Sequence, residues 1–193
     1  MSQFYGADLQ PVKTLEAIDN PNCGYLYHAK AADFGKIPGS PIAYWVSGKI
    51  LRVFEESVLL ESICNPAAGL QTGDNDRFLR FWFEVSQQKA GLGYASNIEA
   101  KSSGQKWIPY NKGGDFRRWY GNNEYFINWE NDGKEIANFK PRSVIRNPQY
   151  YFKPSVTWSF VSSSSFGVRR SDQGFIFDVG GSSLFAAEEN LNA

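Results

Sequence analysis

Histidine is almost missing from this chain, which carries one, His28, and only two cysteines, Cys23 and Cys64. A lone imidazole with no CxxC spacing leaves no ligand set for a zinc or iron site, so no metal is expected. Two isolated cysteines also exclude a disulfide framework. Free thiols bury as readily as small apolar side chains, and a reducing cytoplasm is the expected compartment. Long hydrophobic runs are absent: nothing approaches the roughly 18 apolar residues of a membrane helix, and no secretory leader is read, so no membrane partner is expected. Net charge is lacking as well, since 20 Lys and Arg offset 20 Asp and Glu. Taken alone, that balance argues against a nucleic-acid partner, which calls for a basic surface.

What is abundant is aromatic: 6 Trp, 10 Tyr and 15 Phe make up 16% of 193 residues. With 18 Gly and 9 Pro as punctuation, this composition favours short strands and turns over long helices. The 42% hydrophobic fraction is enough for one substantial core. Charge is unevenly spread. Residues 1–66 hold 5 basic and 7 acidic side chains, 67–170 hold 15 and 9, and 171–193 hold 0 and 4. A basic middle between acidic ends attracts phosphate locally while vanishing from the total. Uneven surface charge of no consequence is the plainer alternative.

The segment 1–38, broken by Pro11, Pro21, Gly24, Gly35 and Pro38, reads as an irregular N-terminal connection with one short helix near 12–18. Residues 39–185 form the expected main domain and 186–193 a C-terminal tail. Ser40 as cap and Pro41 at the first helical position predict a helix over 41–56, its Ile42, Trp45, Val46, Ile50, Val53 and Phe54 stripe packing on a sheet. Strands are expected at 59–64, 78–85, 107–110, 115–120, 125–129, 150–152, 156–161, 166–169 and 175–178, with the serine run 162–165 as a loop. In 78–85, Leu79, Phe81, Phe83 and Val85 alternate with Phe78, Arg80, Trp82 and Glu84, a period that sends one set to the core and offers the other to a partner. Residues 87–104 read as a surface loop, in which Gly91-Leu92-Gly93 lacks the strand and helix of a nucleotide-binding turn. Asn131-Asp132-Gly133 reads as a turn with a short helix beginning there. The fold class expected is α+β, with twisted, mostly antiparallel sheets and few helices.

Three blocks follow one another: GLQTGDNDRFLRFWFEV at 69–85, KWIPYNKGGDFRRWYG at 106–121 and PRSVIRNPQYYFKPSVTWSFVSSSSFGVRR at 141–170. In that order they closely resemble the target-recognition region of the adenine-specific DNA methyltransferases of BREX phage defence, the PglX family, over about residues 37–185. More distantly, they are similar to the specificity domains of restriction-modification enzymes. The resemblance implies a specificity-domain fold that selects a duplex DNA sequence for the methyltransferase domain of the same polypeptide. Enzymes of that group carry Asn or Asp followed by Pro-Pro and an aromatic, and a glycine-rich motif for S-adenosylmethionine. The nearest strings here, NPAAG at Asn65 and NPQYY at Asn147, lack the second proline. No catalytic residue and no cofactor are therefore expected in this chain. By resemblance, S-adenosylmethionine and the flipped adenine belong to the parent enzyme.

The candidate DNA contacts are cations beside turns: Arg77 and Arg80 after TGDN, Lys112 in NKGG, Arg117 and Arg118 before Trp119, then Arg142, Arg146, Arg169 and Arg170. An Arg fork meets both guanine acceptors in the major groove, whereas Lys acts as a point charge on phosphate. Asn75 and Asn122, with Asn111 and Asn123, carry the donor and acceptor that an adenine edge requires; turn geometry explains them equally. Trp119, with Tyr120 and Trp158, is suited to wedge or stack, or else to core burial. The amides of Gly113 and Gly114 suit an anion nest or a hairpin. The acidic Asp74, Asp76, Glu84, Glu124 and Glu130 show no spacing that selects a glycosidase pair. The DNA reading expects the cations of 67–170 to gather in one electropositive concavity. A domain that docks other defence-system proteins or a DNA-mimicking inhibitor, and a carbohydrate-binding β-domain, are the competing classes.

Overall fold

The computed structural model describes residues 6, 8–161, 165–187 and 191, so most of the serine run and most of the expected tail lie outside the described residues. The chain divides into two compact units, Met1–Val58 and Leu59–Ala193, where the sequence suggested a junction near 38.

The first unit is helical. Helix α1 (Gln10–Asp19) starts on Pro11, which fits the first helical turn because its missing N–H has no partner there. After the one-turn α2 (Ala31–Phe34) comes α3 (Gly48–Glu56). Its start corrects the expected 41–56 helix. Ser40 sits at a φ of 47°, unsuited to a cap, whereas Ser47 is extended and its Oγ accepts the Ile50 N–H at 3.4 Å. Within this unit nothing covers the stripe: Ile50, Val53 and Phe54 are exposed.

The second unit is α+β and consists of two four-stranded, mostly antiparallel sheets with short helices. Its strands are β1 (Cys64–Ala67), β2 (Leu79–Phe81), β3 (Trp107–Asn111), β4 (Tyr125–Asn128), β5 (Ser155–Trp158), β6 (Val168–Ser171), β7 (Ile176–Phe177) and β8 (Ser183–Ala186). One sheet runs β1-β8-β5-β6, all antiparallel; the other runs β2-β4-β3-β7, parallel only between β3 and β7. One apolar core joins both sheets. Leu70, Ile108, Tyr110, Ile127, Phe152 and Ile176 are buried in it, and Phe177 of one sheet meets Phe185 of the other at 5.1 Å. Burying each such side chain stabilises by roughly 1.5–3 kcal/mol.

Three departures from the sequence reading matter for the site. The 78–85 strand lasts three residues. Asp74 caps a single turn, α4 (Asn75–Phe78), which drives Phe78 into the core; beyond Phe81 the chain enters a 3-10 turn, Trp82–Glu84, and the alternation ends. Phe81, Trp82 and Phe83 are consequently exposed together. The expected 87–104 loop contains α5 (Asn97–Ser103), capped by the Ser96 hydroxyl and closed by left-handed Gly104. Residues 115–120 form no strand, 59–64 contains the 3-10 turn Leu60–Ser62 and enters β1 only at Cys64, 150–152 follows from the 3-10 turn Pro148–Tyr150, and β8 was not anticipated. The Asn131-Asp132-Gly133 turn is present, all three residues left-handed, at the head of α6 (Glu130–Ala137). No helix among the described residues is long and apolar enough to cross a membrane.

Candidate DNA interface

Two neighbouring concavities in the second unit share Asn75 and Lys112 in their walls. The larger, about 450 Å³, adds Asp76, Arg80, Phe81, Glu84 and Tyr125; the other, about 360 Å³, adds the 71–74 turn and Asp178. The turn is built locally. Thr72 Oγ1 donates to Asn75 Oδ1 at 2.7 Å, Asp74 accepts the Arg77 N–H at 3.1 Å, and Gly73 has a φ of +74°. A side chain at Gly73 would place its Cβ 2.5 Å from the Arg142 backbone, so only glycine fits. Asp178, which lines the smaller concavity, accepts from the buried Tyr110 hydroxyl at 2.6 Å; burial first, and then this carboxylate, push the phenol pKa well up. Asp178 also accepts the Gly180 N–H at 2.5 Å, which commits its charge to the scaffold.

Arg80 and Lys112 are the cations of this groove. Arg80 donates to the carbonyls of Asp76 and Leu79 at 2.7 and 2.5 Å and lies 5.5 Å over the Trp107 ring. Arg77, one residue past the groove wall, turns instead to Glu135 at 2.6 Å and does not line it. That hydrogen bond holds the Glu135 carboxyl below its ordinary pKa. Arg77 and Arg142 each lie 5.1 Å from the Phe139 ring, one more neighbourhood of positive charge.

The second prominent feature is the loop 114–120, seven successive exposed residues that include Phe116, Arg117, Arg118, Trp119 and Tyr120. Trp119 and Tyr120 are 70% and 69% exposed, an unusual placement for large aromatics unless something covers them. The loop is nevertheless fastened. Gly114 O accepts from Ser159 Oγ at 2.7 Å, Asp115 O from Asn122 Nδ2 at 2.9 Å, and Trp119 O from the Arg170 N–H at 2.8 Å. Trp119 thereby lies alongside β6, and the left-handed Gly113 before the loop abuts the Gly180 carbonyl, where a Cβ would not fit. Arg118 lies 5.1 Å over Phe116, and Arg117 donates to the Phe116 carbonyl at 3.2 Å. Among the described residues, neither Arg117, Arg118, Arg80 nor Lys112 has a carboxylate within 4.0 Å.

The sequence-derived candidates thus divide. Asn75, Arg80 and Lys112 share the groove, and Arg117, Arg118 and Trp119 share the loop, with Arg170 exposed beside it and 3.4 Å from Asp172. Arg146 is half-buried, its carbonyl accepting from Tyr151. Two candidates point inward. Arg169 is only 2% exposed, with its Nη1 3.5 Å from Ser159 Oγ and its Nε unpartnered; burial pulls its pKa down. Asn122 is 6% exposed and serves as the loop's fastening, as Asn111 serves β6 through Ser171 at 2.7 Å. Arg169 and Asn122 are thus placed beneath the surface. The cations of 67–170 are found in three neighbourhoods, the groove, the loop and the Phe139 pair. Sequence reasoning missed the row of Phe83, Phe81 and Tyr125, whose signal was the aromatic run in FLRFWFEV. Among the described residues no group of three His, Cys, Asp or Glu is placed to hold a metal ion.

Comparison with known proteins gives the class: the chain is similar to a stretch of BREX-type adenine-specific methyltransferases, as the three sequence blocks led us to expect. Over 179 residues it is 42% identical to the adenine-specific methyltransferase PglX of Lacticaseibacillus casei (strain Zhang), covering 89% of this chain and 15% of that protein. Over 155 residues it is 43% identical to the adenine-specific methyltransferase BrxX of Escherichia coli O9:H4 (strain HS), covering 79% of this chain and 12% of that protein. The chain therefore corresponds to a small part of each relative's length. No family model matches it.

Proposed function

We propose that this chain is the duplex-DNA recognition module of a site-specific adenine DNA methyltransferase acting in phage defence, and that the loop 114–120 reads the sequence. The observation that carries this reading is the loop itself: two arginines with no carboxylate within 4.0 Å among the described residues and two exposed aromatics on a backbone tied down at three points. Fastening matters physically, because a contact made by a preorganised loop avoids the entropy cost of ordering it on binding. Arg117 and Arg118 supply forks for guanine O6 and N7 or for phosphate, and Trp119 a surface for base edges or thymine methyl groups. Arg80 and Lys112 extend positive charge along the groove. Methyl transfer and S-adenosylmethionine binding belong, in this reading, to the remainder of the polypeptide.

The test is methylation by the full-length enzyme. Arg118→Ala is expected to lower methylation of the cognate site by about 5- to 150-fold, the value of one bidentate base contact, with S-adenosylmethionine affinity unchanged. Unchanged methylation removes the loop from the interface. A second reading, docking of another defence protein, is favoured by the exposed Ile50, Val53 and Phe54 of α3. It predicts salt-insensitive capture of that partner, abolished by Val53→Asp, with DNA binding intact.

A further inference from the structure

An aromatic row supplies two residues, Phe81 and Tyr125, to the lining of the larger concavity. Phe83 and Phe81 are stacked with centroids 5.3 Å apart and planes 5° from parallel; Phe81 and Tyr125 follow at 4.9 Å and 28°. Three consecutive side chains, Phe81, Trp82 and Phe83, are 40%, 61% and 67% exposed. Leaving that much apolar area in water is unfavourable, so the row has a use outside the core. Phe81 and Tyr125 line the concavity together with Arg80 and Lys112, and its 450 Å³ lies within the range of small-ligand sites, roughly 300–1,000 Å³.

From this juxtaposition we propose that the concavity receives one unpaired nucleotide, its base packed against the aromatic wall that the stacked Phe81 and Tyr125 rings form and its phosphate toward Arg80 and Lys112. This deepens the DNA-recognition reading and rests on it: recognition would include an unstacked base held by this chain, separate from the adenine that is methylated. Rings stacked on one another form a short column that leaves its outer aromatic surface open, and every base has a flat face that can pack on such a surface. The carboxylates set the preference. Glu84 already accepts the Phe81 N–H through Oε2 at 2.7 Å, leaving Oε1 available, and Asp76 lies in the same wall. Both are acceptors only, so they favour the exocyclic amino groups of adenine and cytosine over the carbonyl edge of thymine.

The experiment uses the 193-residue chain and three fluorescein-labelled DNAs: a 30-bp duplex, the same duplex with one unpaired adenine, and the same with one unpaired thymine. Anisotropy is expected to show binding of the adenine bulge at least about 5-fold tighter than the paired duplex, with the thymine bulge between them. Phe81→Leu, which keeps apolar volume but removes the ring, is expected to bring the ratio of bulged-duplex to paired-duplex affinity to one, whatever its paired-duplex affinity; Phe83→Leu gives a smaller loss of that ratio. Equal affinity of the wild-type chain for paired and bulged DNA overturns the nucleotide site while leaving duplex recognition standing. Binding to none of the three overturns both. Sedimentation as a dimer that Phe81→Leu converts to monomer would assign the row to self-association and overturn the proposal.

Discussion

The side-chain amide of Asn122 donates to the Asp115 carbonyl at 2.9 Å, closing the exposed loop across its base. Asn122 is left-handed at a φ of 59°, a conformation that asparagine tolerates and alanine resists. Asn122→Ala is therefore expected to cost about 1–3 kcal/mol, a lost buried hydrogen bond plus backbone cost, read as a lower urea midpoint at unchanged slope. Because the loop loses its fastening, DNA affinity should fall beyond what the stability loss explains. An unchanged midpoint removes this residue from the loop's support.

Arg77 and Glu135 make an exposed ion pair, which is worth at most about 1 kcal/mol. The Glu135 carboxyl, held below its ordinary value of 4.5 chiefly by the Arg77 hydrogen bond, contributes fully above that value, and its contribution is lost as pH falls through the lowered one. The stability difference between wild type and Arg77→Ala should be present at neutral pH, shrink in acid below 4.5 and shrink with added salt. A difference that grows on acidification contradicts the assignment.

Arg169 is enclosed, and among the described residues no carboxylate lies within 4.0 Å of it; the Glu124 charge offsets only part of the hydration its guanidinium gives up, and its Nε has no partner. Arg169→Met, which keeps length and apolar stem, is expected to leave stability unchanged or raise it, whereas Arg169→Ala opens a cavity and costs about 2–4 kcal/mol. Arg169→Met should also leave the salt dependence of DNA binding as it was. A strong loss of DNA binding with intact folding would return Arg169 to the interface.

Cys64 is buried, burial raises its thiol pKa, and its Sγ lies 2.8 Å from the Leu60 carbonyl; Cys23 is partly exposed. Thiolates are the reactive species, so a maleimide or disulfide reagent should label Cys23 well before Cys64 in the folded chain. Labelling of both at one rate would place Cys64 at the surface.

Some of this architecture was legible in the residues. The β3 and β4 segments, WIPYN and YFIN, are rich in aromatic and β-branched residues and were expected within a residue or two of where they form. Helix α1 was equally plain. Helix α5 was not, because its apolar content is low: Ala100 is buried while Ile98 is exposed, and only the Ser96-to-Glu99 capping pattern marked it. The run at 78–85 misled because its alternation is real in sequence but β4 pairs with only three of its residues, after which Glu84 captures the Phe81 N–H. For the candidate site, charge and turn position nominated cations and loop amides. They did not reveal which of these candidates were spoken for, since Arg77 meets Glu135 across 58 residues and Asn111 meets Ser171 across 60. Those pairings belong to tertiary structure.

The most direct test of the central claim is the salt dependence of duplex binding by the chain and its Arg117→Ala/Arg118→Ala variant. If both arginines meet the DNA backbone, the slope of log affinity against log salt should become shallower by about 1.8, near 0.9 for each lost phosphate contact. Base contacts by one of them reduce that change and appear instead as lost sequence preference. Identical slopes and identical preference in wild type and variant would contradict the assignment of the loop 114–120 to DNA.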